Sequence, residues 1–165
     1  MESIRLEAAR DSQLPTLMSW LADLCQCRQW GGPQFRYPFD AQTFVEDCRW
    51  RELPSHALVR GRGELLAFGQ YYQRLGRCHL GRLIVSPQHR GIGLGKALVT
   101  GLARRGCSEL GASECSLFVL QDNATAHGLY RALGFAVAEY PEPSDMLAGC
   151  DYMIAPAENF ISISI

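Results

Sequence analysis

The run Arg90-Gly91-Ile92-Gly93-Leu94-Gly95-Lys96 is the stretch of this 165-residue chain whose residue types and spacing best suit chemistry. It follows an apolar segment that ends at Val85 and precedes a helical repeat of Leu94, Ala97, Leu98, Gly101 and Leu102. A helix start leaves backbone N–H groups unpaired and carries the positive end of the macrodipole, so it stabilises an anion. Glycine lets the backbone approach a bulky diphosphate with no side chain in the way. Two other phosphate motifs fail on spacing. A P-loop would need Gly where Arg90 stands and Ser or Thr where Ala97 stands. The dinucleotide fingerprint would need Gly at Lys96 or at Leu98, depending on its register. What remains is a different diphosphate cradle.

The elements that must position this turn follow from periodicity. Ile4, Leu6 and Ala8 alternate with Arg5 and Glu7 as in a half-buried strand, and Asp11 to about Cys27 reads as one amphipathic helix. A second helix is predicted over 40–49. Between them, 30–39 carries four aromatics with Gly and Pro, which favours an ordered loop that either caps the core or lines an acceptor pocket. Strand-like runs at 57–60 and 65–73 flank Gly61-Arg62-Gly63, a hairpin signal. A third runs from Cys78 to Val85. Beyond the helix that starts near Gly93, a strand is predicted over 114–120, a helix over 123–133, and strands over 135–140 and 150–155. The order is mixed α/β.

Composition sets the bounds. Hydrophobic residues make up 47% and charged residues 20%, the balance of a globular chain of one domain. A formal net charge of −1 gives no overall attraction to nucleic acid or anionic membranes. The N-terminal segment has no signal pattern and no stretch reaches the ~18 apolar residues that span a bilayer, so a cytoplasmic protein is expected. Seven cysteines without a CxxC pair argue against a disulfide framework and against a zinc site, and no metal is expected.

With these residues in view, the chain resembles the GNAT superfamily of N-acetyltransferases. Leu83-Ile84-Val85, Pro87 and Arg90-x-x-Gly93-x-Gly95 are similar to its motif A, R/Q-x-x-G-x-G/A, and Gln88-x-x-Gly91-x-Gly93 offers a second register. About thirty residues on, Asn123, Ala126, Leu129-Tyr130 and Leu133-Gly134-Phe135 are similar to motif B, N-x-x-A-x-x-L-Y-x-x-x-G-F. The resemblance implies a three-layer α/β fold, with a mixed central sheet of about six to seven strands, splayed at the cofactor site and flanked by about four helices. It implies acetyl-CoA as co-substrate, without a metal. The backbone of Leu83, Ile84 and Val85 would pair with the pantetheine like an added strand. Amides from Gly91 through Ile92, Gly93, Leu94 and Gly95 to Lys96 would hold the pyrophosphate beside Arg90, and Asn123 would bond the pantetheine. Tyr130 would sit near the thioester sulfur.

The reaction so implied is transfer of acetyl to a primary amine, on a small molecule or a peptide N-terminus, by direct attack in a ternary complex. Tyr130 is the expected acid for the departing thiolate, and the Val85 amide is expected to polarise the carbonyl. For the base the sequence offers His79, six residues before Val85 and hence on the same strand face by the period of two. Its competing reading is a strand histidine satisfied by hydrogen bonds. Phe118 stands where related N-terminal acetyltransferases often carry Glu, which weakens a ribosomal-protein substrate. His127 is expected to face solvent, with nothing nearby to orient it. Cys115 is read as core rather than as an acetyl acceptor. Residues 1–156 are expected to form the single domain, with 157–165 a tail that is either loose or paired to a sheet edge, in a monomer or a homodimer. Two rival functions stay open: an acetyl-CoA sensor without turnover, and a transferase for longer acyl-CoAs.

Overall fold

The structure is a computed structural model that describes residues 3–142 and 147–161. Seven strands form one mixed sheet: β1 (Ile4–Ala8), β2 (Ser55–Arg60), β3 (Glu64–Arg74), β4 (Arg77–Val85), β5 (Glu114–Leu120), β6 (Ala136–Ala138) and β7 (Cys150–Pro156), ordered β1-β2-β3-β4-β5-β7-β6. Among the described residues there are five α-helices: α1 (Leu14–Ser19), α2 (Leu24–Gly31), α3 (Ala41–Asp47), α4 (Leu94–Leu110) and α5 (Ala124–Ala132). The extra helix arises because the segment expected to be one helix from Asp11 is two. Asp23 accepts a hydrogen bond from the Gln26 amide at 2.8 Å and opens α2, while Trp20 and Leu21 are buried in the intervening turn. An N-cap of this kind contributes about 1 kcal/mol, enough to move a boundary that hydrophobic spacing alone does not show.

By packing, the chain divides into two compact units, Met1–Gln70 with Arg82–Leu98 and Tyr71–Gly81 with Val99–Ile165. In the first, β1 pairs antiparallel with β2 from Ile4↔Arg60 to Ala8↔His56. The β2–β3 hairpin closes at Arg60↔Glu64 through Gly61 and Gly63, whose φ of 60° and 126° are the values that the Gly-Arg-Gly signal requires. Its core is aromatic: Trp30 stacks on Phe44 at 5.6 Å, Trp50 stacks on Phe68 at 5.5 Å, and Phe35 packs edge-on to Phe44. The aromatics of 30–39 therefore cap this core, the first of their two expected roles.

In the second unit, β5 pairs antiparallel with β7 from Glu114↔Pro156 to Leu120↔Cys150, and β6 lies along β7. The parallel ladder of β4 with β5 covers Cys78↔Cys115, His79↔Ser116 and Leu80↔Leu117, and both strands run on past it. One face of this part of the sheet is covered by α4. A Cβ at Gly106 would come within 2.5 Å of Cys78 Sγ and 2.9 Å of the Tyr71 ring, so only glycine permits this approach. Of the expected tail, Ala157–Asn159 forms a 3-10 turn and Phe160 is buried against Phe135, with its carbonyl accepting from Arg104 Nε at 2.9 Å. Residues 162–165, which carry most of the alternating Ile-Ser pattern, lie outside the described residues.

Candidate active site

The Gly-rich turn is an exposed loop feeding a 17-residue helix. Gly91 and Gly93 have φ of 81° and 90°, the left-handed region open to glycine, and a Cβ on either would meet nothing within 4 Å. That open space is where a diphosphate would lie, so the residues present fit the group. Leu94 is buried as the helix anchor while Ile92 is 65% exposed, so the turn is held at its C-terminal end and bare at its crest. Intrahelical bonding starts at the Ala97 amide, which donates to Gly93 O at 3.2 Å, and the amides before it are the free donors of a helix start. Two cations flank the turn. Arg90 Nε donates to Val85 O at 3.3 Å, and among the described residues neither Arg90 nor Lys96 has an acidic partner.

Strand β4 has an unusual second half. It is the middle strand of seven, yet each residue from Gly81 to Val85 is only half-buried, whereas Cys78, His79 and Leu80 are buried. Arg82 within it has φ 49°, a left-handed value that costs an L-residue about 1–2 kcal/mol. The conformation is held from several sides: Arg82 Nη1 donates to Gln70 Oε1 at 3.0 Å, Nη2 to Asp47 O at 3.2 Å, and the Trp30 indole donates to Arg82 O at 2.8 Å. This residue breaks the two-residue alternation along β4. Counting by twos from Val85 to His79 therefore does not establish a shared face, and the geometric argument for His79 as base falls with it.

His79 itself is 1% exposed. Its Nδ1 lies 2.9 Å from Ser116 Oγ, and its ring packs against Phe118 at 4.7 Å and Tyr72 at 5.3 Å. Burial, with a smaller contribution from the Arg74 charge, pushes its pKa down to about 3. It is neutral at physiological pH and a poor proton acceptor. The unfolded chain binds a proton near pH 6.5 that the native state refuses, so His79 withdraws stability as pH falls from about 6.5 toward 3. Thermal melts between pH 7 and 4 should show a His79→Gln protein losing less stability on acidification than the parent; parallel losses would contradict this.

On the second unit, Asn123 is the N-cap of α5: its Oδ1 accepts from the Ala126 amide at 3.1 Å, which leaves Nδ2 as its donor. Tyr130, on the same helix, is 9% exposed and packs edge-on to Phe135 at 5.9 Å. Burial pushes its hydroxyl pKa up to about 12, so it is fully protonated in the working range. His127 corrects an expectation: it is half-buried, and its Nε2 lies 3.2 Å from Asp151 Oδ2. Three thiols missed by sequence spacing also meet here, since the sulfurs of Cys78, Cys107 and Cys115 all lie within 4.8 Å of one another, buried. The Cys107 and Cys78 sulfurs, together with burial, hold the Cys115 thiol far above the usual range, so Cys115 itself does not ionise to accept acetyl, while the same sulfur contacts push its neighbour Cys107 down.

Thus Leu83, Ile84, Val85, Arg90 and the 91–96 turn belong to one unit, and His79, Asn123 and Tyr130 to the other. The fold, the turn and the motif helix together define an acetyltransferase. The acetyltransferase (GNAT) family profile matches residues 24–135, and the chain belongs to that family, whose acyl donor is acetyl-CoA. Among solved structures it is similar to the ribosomal-protein-S18-alanine N-acetyltransferase of Escherichia coli, at 22% identity over 99% of this chain and 97% of that one, TM-score 0.65. It is also similar to the spermidine N-acetyltransferase of Vibrio cholerae solved with CoA and spermine, at 15% identity over 96% and 98%, TM-score 0.70. A Staphylococcus aureus acetyltransferase of the GNAT family matches at 11% identity over 94% and 99%, TM-score 0.66. At these identities the structures share the fold. No described helix is long and apolar enough to cross a membrane.

Proposed function

We propose that this protein transfers the acetyl group of acetyl-CoA to a primary amine by direct attack, with both substrates bound at once. The observation that carries this reading is the turn at Gly91–Lys96: two left-handed glycines with open space above them, at the head of a long helix, between two cations that have no acidic partner among the described residues. Acetyl-CoA supplies the activated thioester. The chain's own residues bind, orient and move protons. Free amides from Gly91 to Lys96 and the Arg90 guanidinium hold the pyrophosphate. The half-buried backbone of Leu83, Ile84 and Val85 pairs with the pantetheine, and the Val85 amide polarises the carbonyl. Asn123 Nδ2 donates to the pantetheine while Oδ1 caps α5.

Tyr130 gives its proton to the leaving thiolate, for which a hydroxyl held protonated by burial suits. The amine nitrogen must arrive neutral, and an amine of pKa ~10.4 is about a thousandth neutral or less at pH 7. His79 is too weakly basic to take that proton directly, so its part is to hold Ser116 and the aromatic face around it. Solvent takes the proton.

Calorimetric titration with acetyl-CoA, followed by a free-thiol release assay across amine classes, tests the reading. Micromolar binding with amine-dependent thiol release is expected. Binding without release from any acceptor would favour an acetyl-CoA sensor, and no binding would overturn the assignment of the turn.

A further inference from the structure

The sheet of the second unit has two faces. Cys78 and Cys115 point to the face covered by α4, where Cys107 and Gly106 lie. By alternation and register, His79, Ser116, Phe118 and Tyr152 share the opposite face. There an aromatic surface assembles: Phe118 lies 5.3 Å from Tyr140 and 5.5 Å from Tyr152, and Tyr140 lies 5.0 Å from Tyr152. Tyr72, Phe118 and Tyr140 are only half-buried, so this surface is open to a ligand.

A cation is fixed on it. Arg74 Cζ lies 4.9 Å from the Phe118 ring centroid and 5.7 Å from that of Tyr140. Its Nε donates to the Tyr140 hydroxyl and its Nη1 to the Tyr72 hydroxyl, each at 3.0 Å. Both partners are hydroxyls, and among the described residues no carboxylate pairs with Arg74 and nothing accepts from Nη2. The neighbouring Arg77 is bonded to Glu114 at 2.9 Å, and Arg36, Arg51 and Arg60 each have an acidic partner as well. Holding a half-buried guanidinium against aromatic rings with no counter-charge among the described residues costs desolvation that an incoming anion recovers. A planar guanidinium with free N–H groups matches a carboxylate.

We infer that this face receives the acceptor, and that the acceptor is an amine that carries a carboxylate, an amino acid or a close analogue, with its carboxylate on Arg74 and its apolar part against Phe118 and Tyr140. The inference rests on the transfer reading above. The amine nitrogen forms a bond to the acetyl carbon as the carbon–sulfur bond breaks. The nitrogen loses one proton, the sulfur gains one, and the products are the N-acetyl amino acid and free CoA. A polyamine is disfavoured on this surface, because its further ammonium groups would meet Arg74 with like charge.

The test compares phenylalanine with phenethylamine, and leucine with isoamylamine, with spermidine as a third class, in the thiol-release assay and by calorimetry on protein saturated with CoA. The carboxylated member of each pair should be favoured at least about a hundredfold in kcat/KM, because a site built around a polar group rejects the analogue that lacks it. In Arg74→Met that ratio should fall to within about threefold, with acetyl-CoA affinity and melting temperature held, and Arg74→Lys should recover part of it through its charge. Equal rates within each pair, a preference for spermidine, or a ratio that survives Arg74→Met would overturn the inference. Carboxylate-dependent binding that is lost in Arg74→Met but gives no thiol release with any acceptor would sink the transfer reading and leave the recognition standing.

Discussion

A Gly93→Val protein should bind acetyl-CoA at least about a hundredfold more weakly than the parent in a calorimetric titration. At φ 90° a β-branched residue is a genuine outlier, so the turn must rearrange and re-aim its amides. The new side chain would also enter space that nothing in the protein fills. The loss is therefore one of ligand approach rather than of core packing. Gly111 supplies the control. It too is left-handed, at φ 65°, with nothing within 4 Å of a built Cβ, but it follows the C-terminal end of α4. Gly111→Val should cost stability of order 1–2 kcal/mol and leave acetyl-CoA affinity intact. Equal loss of binding in both proteins would show that the effect is backbone strain and would remove the turn from the site.

Tyr130→Phe should lower kcat by about two to three orders of magnitude, the range for removing a positioned acid. Phenylalanine keeps the ring that packs on Phe135, so the melting temperature and the acetyl-CoA dissociation constant should stay close to the parent's. The pH dependence carries a second check. Burial raises the hydroxyl toward about 12, so the native state keeps its proton between pH 10 and 12 while the unfolded chain loses it. The acid form is thus fully present at pH 9 to 10, and the parent's rate should not fall there through tyrosine ionisation. Its contribution to stability is whole below pH 10 and fades as pH rises toward 12. An unchanged kcat in Tyr130→Phe would rule out the acid role.

The glycine turn and the α5 helix were legible in the sequence because their signals are local. A left-handed turn needs glycine at fixed positions beside a helix start, and a motif helix states its own face by spacing. The strands were legible for the same reason: 114–120 shows a plain apolar run, and Gly61-Arg62-Gly63 announces its hairpin. What periodicity could not supply was anything made by distant residues. The expected single helix from Asp11 hid the Asp23 cap because its apolar spacing continues across the break. Arg82 carries no mark of its left-handed backbone, since arginine is an unremarkable strand residue, and the partners that hold it come from α2, α3 and β3. His127 meets Asp151 across 24 positions and Arg74 meets Tyr140 across 66, contacts that only the sheet order creates. The cysteines scattered at 78, 107 and 115 offer no motif, yet β4, α4 and β5 bring their sulfurs together.

Gln70 is a fully buried polar side chain. Its amide nitrogen donates to Cys48 O and Ser55 Oγ while its oxygen accepts from Arg82, so one side chain ties the end of α3, the start of β2 and the irregular half of β4. Positions 48, 55, 70 and 82 are then bound to one another under mutation. A lineage that altered Gln70 would strand Arg82 in a costly backbone state, and drift at these sites should proceed by joint replacement, leaving a signature of covariation among residues far apart in the chain.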